Sequence, residues 1–384
     1  MPGSADQATP PRWLDCIAEP TREARSTPLI AALPGEGIGE EVVTAALDVL
    51  RSLEQAGGTP VEVETGGPIG HPAEESAGTA FPEEVARFCE ATLGRGGAIL
   101  TGAGGGRYVY DLRRRLDLFL KLVPVSSRHG LPEASPLRPE TLGDLDLLLV
   151  RENLGGIYQG RSDESLDPDG RRVVGHAFEA SESQLRPFLG AAARLAASRH
   201  GSLTVVVKQG GAPALAEIWR ACALDAATAA GVECSFVDVD LMAYELLKRP
   251  RDFDVIAASN LAGDVLSDLT ALLLGSRGLS FSGNFSPRGH AAYQTNHGAA
   301  YDIAERDVAN PVGQILSLAM LLRQSLGLEA EARAVEDAIR AVWADGFRTA
   351  DIAAPGDRVV GTREMAARIA ETAGTQLGAL SRAA

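Results

Sequence analysis

Cysteine, histidine and aromatic side chains are scarce, with 4 cysteines, 6 histidines and 5% aromatic residues in a chain of 384. Cys16, Cys89, Cys222 and Cys234 show no C-x-x-C spacing. That argues against a zinc cluster or a disulfide framework and suits a reducing cytoplasm, where the protein is expected to work. Basic charge is also short. Thirty-six Lys and Arg face 51 Asp and Glu, a net charge of −15. A nucleic-acid partner or an anionic membrane surface needs a basic footprint that is missing here. No apolar run reaches the roughly 18 residues of a membrane helix. The opening stretch, residues 1–27, has no apolar core of a signal peptide and mixes both charge signs; it reads as a loosely ordered extension.

Glycine is plentiful, at 42 residues, and 45% of the chain is hydrophobic, a balance that fits an α/β enzyme. An apolar run ending in GEGIG is followed by the helical pattern EEVVTAALDVLRSLEQ. Strand candidates at 60–64, 97–101, 145–150, 203–207, 234–239 and 254–258 alternate with helical stretches such as EEVARFCEATLG and APALAEIWRACALDAATAAG. This interleaving implies a sheet with helices on its faces. The last hundred residues are mostly amphipathic helix. GEGIG itself is one residue too short for the dinucleotide fingerprint G-x-G-x-x-G, so by itself it reads as a tight turn from strand to helix.

SNLAGDVLSDL, residues 259–269, carries the sharpest chemistry. Asp264 and Asp268 lie one helical turn apart in an apolar setting. Two carboxylates so placed repel each other and resist burial, and a divalent cation removes both costs. Magnesium or manganese favours oxygen ligands and leaves positions for substrate oxygens. Taken in isolation the pair reads equally as one helix cap and one solvated acid.

The surrounding stretches decide between them. GEGIGEEV, LRRRLDLFLKLVPV, VRENLGGIYQG, VVVKQGG, VDLMAYELLKRP, NLAGDVLSD, LLGSRGL and NHGAAYDIAERDVANP run in that order from about residue 27. Together they resemble the β-decarboxylating dehydrogenases, the family of isocitrate, 3-isopropylmalate, homoisocitrate and tartrate dehydrogenases. The resemblance implies a two-domain α/β fold with a central mixed sheet flanked by helices, distinct from a Rossmann fold. A large cofactor-binding domain would comprise 28–118 and 275–384. A small domain, 119–274, would carry the metal ligands and the contacts of a homodimer with shared active sites.

Roles follow from the same resemblance. Asp264, Asp268 and, from the other subunit, Asp240 would bind Mg2+ or Mn2+. Lys208 would take the hydroxyl proton of a 2-hydroxy acid, and Tyr158 would protonate the carbon left when carbon dioxide departs. Lys208 closes an aliphatic run, which makes it a candidate for a lowered pKa through partial desolvation. Arg113 and Arg151 would grip the malate part. Ile38, His297, Gly298, Ala299, Ala300, Asp302, Ile303 and Asn310 would contact the dinucleotide, and an aspartate at 302 repels a 2′-phosphate and so predicts NAD.

Departures cluster at the substrate. Where the family reads N-x-R-P, this chain has LKLVP, so Val123 replaces an arginine and Lys121 an asparagine. The loop 107–111 is short, Gly210 replaces asparagine and Gln294 replaces an acid. The expectation is an NAD-dependent oxidative decarboxylation of an unusual 3-substituted malate. A 2-hydroxy acid dehydrogenase that does not decarboxylate and a catalytically silent regulatory subunit of the same family are the alternatives.

Overall fold

LIAAL, Leu29–Leu33, is apolar at every position and buried at every position, as a strand covered on both faces requires. It is β1 of a sheet seen in the computed structural model, which describes residues 12–18 and 27–383. The other strands are β2 (Glu62–Thr65), β3 (Ala98–Thr101), β4 (Leu120–Ser126), β5 (Asp146–Glu152), β6 (Arg161–Leu166), β7 (Arg172–Ala177), β8 (Ser202–Val207), β9 (Glu233–Asp238), β10 (Val255–Ala258), β11 (Phe281–Phe285), β12 (Ala291–Thr295) and the short pair β13 (Phe347–Arg348) and β14 (Arg358–Val359). Ten of them form one sheet in the order β2-β1-β3-β12-β11-β4-β5-β10-β8-β9, while β6 and β7 make a separate exposed hairpin.

The sheet is mixed. Its two ends are parallel and its middle, β12-β11-β4-β5, is antiparallel. Residues before 102 and after 280 supply one half, and residues 120–258 supply the other, joined where β11 pairs with β4. Helices Gly39–Gln55, Val312–Leu321 and Thr362–Ala383 pack at the first half, and helices Glu182–Ala197 and Pro213–Ala230 at the second. Among the described residues no helix is long and apolar enough to cross a membrane.

The stretch expected to be a loose extension contains a docked helix, Trp13–Ile17, which corrects that reading for these residues. Leu14 and Ile17 are buried, and Arg194 Nε donates to the Cys16 carbonyl at 2.7 Å. The physical reason is the pair of large apolar side chains in WLDCI, which find a seat on the sheet's helical layer. The remainder of the stretch up to 26 lies outside the described residues.

Helix Val312–Leu321 runs into a π turn, Leu322–Leu326, that aims Arg323 at Glu329 and Glu336. Burial alone would raise the Glu336 carboxyl, but His129 and Arg323 overcome it and hold it down at about 2. A carboxyl depressed in the folded state contributes stability above the unfolded value near 4.5 and loses it as pH falls toward 2. Resistance of the intact protein to urea is therefore expected to fall steeply as pH drops from 4.5 to 2. Glu336→Gln should flatten that limb by on the order of 3 kcal/mol, read from midpoints at several pH values.

Candidate active site

Lys121 sits in β4 directly opposite Arg151 of β5 and Asn284 of β11. Strand parity sends Lys121 and Val123 to one face and Leu120 and Leu122 to the other. The Lys121 side chain is 3% exposed and enters a cavity of about 170 Å³ lined also by Arg113, Arg151, Asp264, Tyr110 and residues 294–298. Three basic side chains thus share a small buried space. Arg113 and Arg151 are each 2% exposed.

Neutral side chains aim both arginines. Arg113, in the last turn of helix Tyr108–Arg115, donates through Nε to Asn284 Oδ1 at 3.2 Å. Its Nη1 is buried without a partner among the described residues. Arg151 donates through Nε and Nη2 to Asn260 Oδ1 at 3.1 and 2.8 Å, and through Nη1 to Asp264. Burial, then the neighbouring Arg151, pushes Arg113 down to about 9. Burial followed by Arg113 and Arg151 pushes Lys121 well below its ordinary value. Burial disfavours the charged forms, and the neighbouring cations add to the shifts.

Asp264 is the one acid bonded within this group. Burial works against its charge, but Arg151, the Tyr158 hydroxyl and Lys121 outweigh that and hold the carboxyl below its usual value. Tyr158, on the 3-10 turn Ile157–Gln159, donates to Asp264 Oδ2 at 2.9 Å. Burial and that bond raise it to about 12, so it keeps its proton at neutral pH. Asn260 Nδ2 also donates to the carbonyls of Asn153 and Gly155, tying the turn that bears Tyr158 to helix Asn260–Leu274.

The expected residues fall into separate groups. Arg113, Arg151, Lys121, Tyr158 and Asp264 are brought together, and Asp268 lies one turn further along the same helix, bonded to Arg277 at 3.1 Å. Lys208 and Asp240 stand elsewhere, at the β8 and β9 edge, bonded to each other. Among the described residues no three His, Cys, Asp or Glu side chains gather as a metal site within this single chain. The expectation of a lowered Lys208 is corrected here: Asp240, a hydrogen-bond partner absent from the sequence argument, raises it.

The dinucleotide candidates line one loop against the GEGIG turn. Ile38 N donates to the Ala299 carbonyl at 2.8 Å, and a Cβ at Gly37 would lie 2.1 Å from that oxygen. Gly298 has open space above it, Asp302 is exposed, and buried His297 Nε2 has no partner among the described residues. Asn310 is engaged with Asp351 at 3.1 Å. Gly298, Asp302 and His297 Nε2 leave room and polar groups for a dinucleotide laid over the loop, whereas both amide atoms of Asn310 are already engaged.

Known proteins place the chain. A family model for isocitrate/isopropylmalate dehydrogenase matches residues 29–369. The chain belongs to the isocitrate/isopropylmalate dehydrogenase family. It is 40% identical to a 3-isopropylmalate dehydrogenase of Symbiobacterium thermophilum over 91% of this chain and 99% of that one. It is 37% identical to another of Geobacillus kaustophilus, covering 88% and 94%. A crystal structure of isocitrate dehydrogenase from Methylococcus capsulatus superimposes with a TM-score of 0.80 at 28% identity, covering 90% and 99%. The protein is thus an NAD-dependent, decarboxylating dehydrogenase of a CH–OH group, with NAD and Mg2+ or Mn2+ as its cofactors.

Asn260, Asn284 and Tyr110 are the supporting residues that sequence reasoning missed. Asn260 was detectable as a polar residue opening an apolar helix; Asn284, between Gly283 and Phe285, carried no such signal. Gly263 shows how tight the support is, since a Cβ there would stand 2.7 Å from Arg151 Cγ. Gly263→Ala favours the helix intrinsically by about 1 kcal/mol but displaces the guanidinium. Steady-state kinetics should show KM for the hydroxy acid raised at least ten-fold, with NADH binding unchanged.

Proposed function

We propose that the protein oxidises and decarboxylates a specialised 3-substituted malate, with each active site shared between two copies of the chain. The observation carrying this reading is the gathering of three buried basic side chains, Arg113, Lys121 and Arg151, around the single bonded carboxylate of Asp264. A dianionic hydroxy acid supplies the missing charge, and Arg113 Nη1 awaits an acceptor. Charge-assisted bonds of this kind contribute about 1.5 to 3 kcal/mol each.

The arginine absent at 123 is replaced from two residues away. Val123 is fully buried in β4, while Lys121 brings a cation to the same face. Arg114 instead turns to Gln159 and offers nothing inward. An ammonium grips one oxygen where a guanidinium fork grips two, so the change favours a substrate unlike 3-isopropylmalate or isocitrate.

Asp264 and Asp268, with Asp240 of a second copy, would hold the divalent ion, an oxygen donor set suited to magnesium or manganese. When bound, that ion supplies a Lewis acid beside the hydroxyl and NAD supplies the hydride acceptor. Lys208 of the second copy, freed of its bond to Asp240 once that carboxylate turns to the ion, would accept the hydroxyl proton as the neutral amine. Tyr158, protonated at neutral pH, returns a proton to carbon 3. Apolar residues support the dimer: Leu241 and Tyr244 near Asp240, and Leu261, Val265 and Leu272 on the Asp264 helix, are all exposed in the single chain. Residues 28–118 with 275–384 would then form the cofactor domain and 119–274 the metal and dimer domain.

A screen of malate derivatives with NAD and Mg2+ tests this, following NADH and carbon dioxide together. One substrate should yield both in equal amounts, with 3-isopropylmalate and isocitrate turned over at least a hundred-fold less efficiently. Ordinary efficiency on either of those two would reject the specialised substrate, and NADH without carbon dioxide would reject decarboxylation. Asp302→Lys should raise KM for NAD ten-fold or more; preferential use of NADP by the unaltered protein would contradict the cofactor loop's assignment.

A further inference from the structure

Four segments meet at Glu36. This carboxylate, in the GEGIG turn, is buried. It accepts from the backbone N–H of Gly105 and, at 3.2 Å, from that of His71. The His71 ring lies 3.5 Å from Glu36 Oε2 through Nδ1, and the same nitrogen meets the Tyr301 hydroxyl at 2.9 Å. Glycine permits the crowding: a Cβ at Gly70 would stand 2.0 Å from Glu36 Oε1, and one at Gly105 would stand 2.2 Å from the His71 ring. The turn after β1, the segment before helix His71–Ala77, the glycine loop after β3 and the dinucleotide loop therefore share one set of hydrogen bonds.

Tyr301 lies between Ala300 and Asp302, inside the loop assigned to the dinucleotide. Ala300 has φ +42°, and Glu305 and Asp307 have φ +62° and +54°, so three residues without glycine's freedom adopt the left-handed region. Such backbone persists only where surrounding contacts hold it. The loop is tethered to the turn by Ile38 N to Ala299 O and to the following helix by Glu305 N to Glu41. Tyr301 adds a side-chain tether at the point between them.

On the reading of this loop as the NAD site, on which the inference rests, we propose that Tyr301 and His71 form a latch that keeps the dinucleotide loop ordered before NAD arrives. Tyr301 is then a positioning residue for the cofactor. An ordered loop spares the dinucleotide the entropy of organising it, so losing the latch weakens cofactor binding and leaves chemistry alone. Burial and Glu36 raise the Tyr301 hydroxyl to about 12, so it remains a donor across the neutral range.

The test is a double-mutant cycle with Tyr301→Phe, His71→Ala and both together, read by fluorescence titration of NADH, by kinetics and by thermal denaturation. Each single variant should raise the NADH Kd and KM for NAD five- to ten-fold, with kcat and KM for the hydroxy acid within two-fold and Tm little changed. The double variant should lose less than the sum of the two single ones, because both remove the bond between the Tyr301 hydroxyl and His71 Nδ1. His71→Asn, whose amide oxygen reaches toward the Nδ1 position, should recover most of the affinity. Unchanged NADH affinity in Tyr301→Phe overturns the latch, as does a loss in Tyr301→Phe with none in His71→Ala, which would mean that the phenol touches the cofactor directly. Failure of the unaltered protein to bind NADH overturns the loop's assignment and the latch with it.

Discussion

Burying three basic groups beside one acid is costly, and the rest of the site is arranged to make it tolerable. Arg113, Lys121 and Arg151 are nearly inaccessible to water, and only Asp264 among the nearby acids bonds directly to any of them. Neutral oxygens of Asn260 and Asn284 orient the two guanidinium groups without cancelling their charge. A fully neutralising set of acids would make a more stable protein with no need of a ligand. The uncompensated charge is a stored demand for an anion, and the sheet's antiparallel centre exists in the right place to hold it, since Asn284, Lys121 and Arg151 lie side by side across β11, β4 and β5.

Much of this was legible in the residues. The spacing of Asp264 and Asp268 placed two carboxylates on one helical face, and the alternation of strands and helices led to a sheet flanked by helices, both seen in the structure. The departure at Lys121 and Val123 was visible as a substitution, but its meaning was not. Strand parity shows that the lysine enters the same cavity as the arginines, which turns an apparent loss of charge into a relocation.

Other features escaped for physical reasons. β11, with glycine and asparagine inside FSGNF, has low strand propensity and is held by its two neighbours rather than by its own residues. The helix Trp13–Ile17 is too short to announce itself by periodicity and forms because two of its side chains find a buried seat. The contact between His71 and Tyr301 spans 230 positions, and only the folded chain reveals it. The raised Lys208 escapes the sequence because its partner, Asp240, lies 32 residues away in the first turn of helix Val239–Lys248, which follows β9.

The central claim is that the cation cluster exists to receive a dianionic hydroxy acid and that Lys121 carries one share of the grip. Calorimetric titration of the preferred malate derivative into the Mg2+-loaded protein, compared with Lys121→Met, measures this directly. The account predicts saturable binding that Lys121→Met weakens at least ten-fold while circular dichroism stays unchanged. Equal affinity in the two proteins would contradict it.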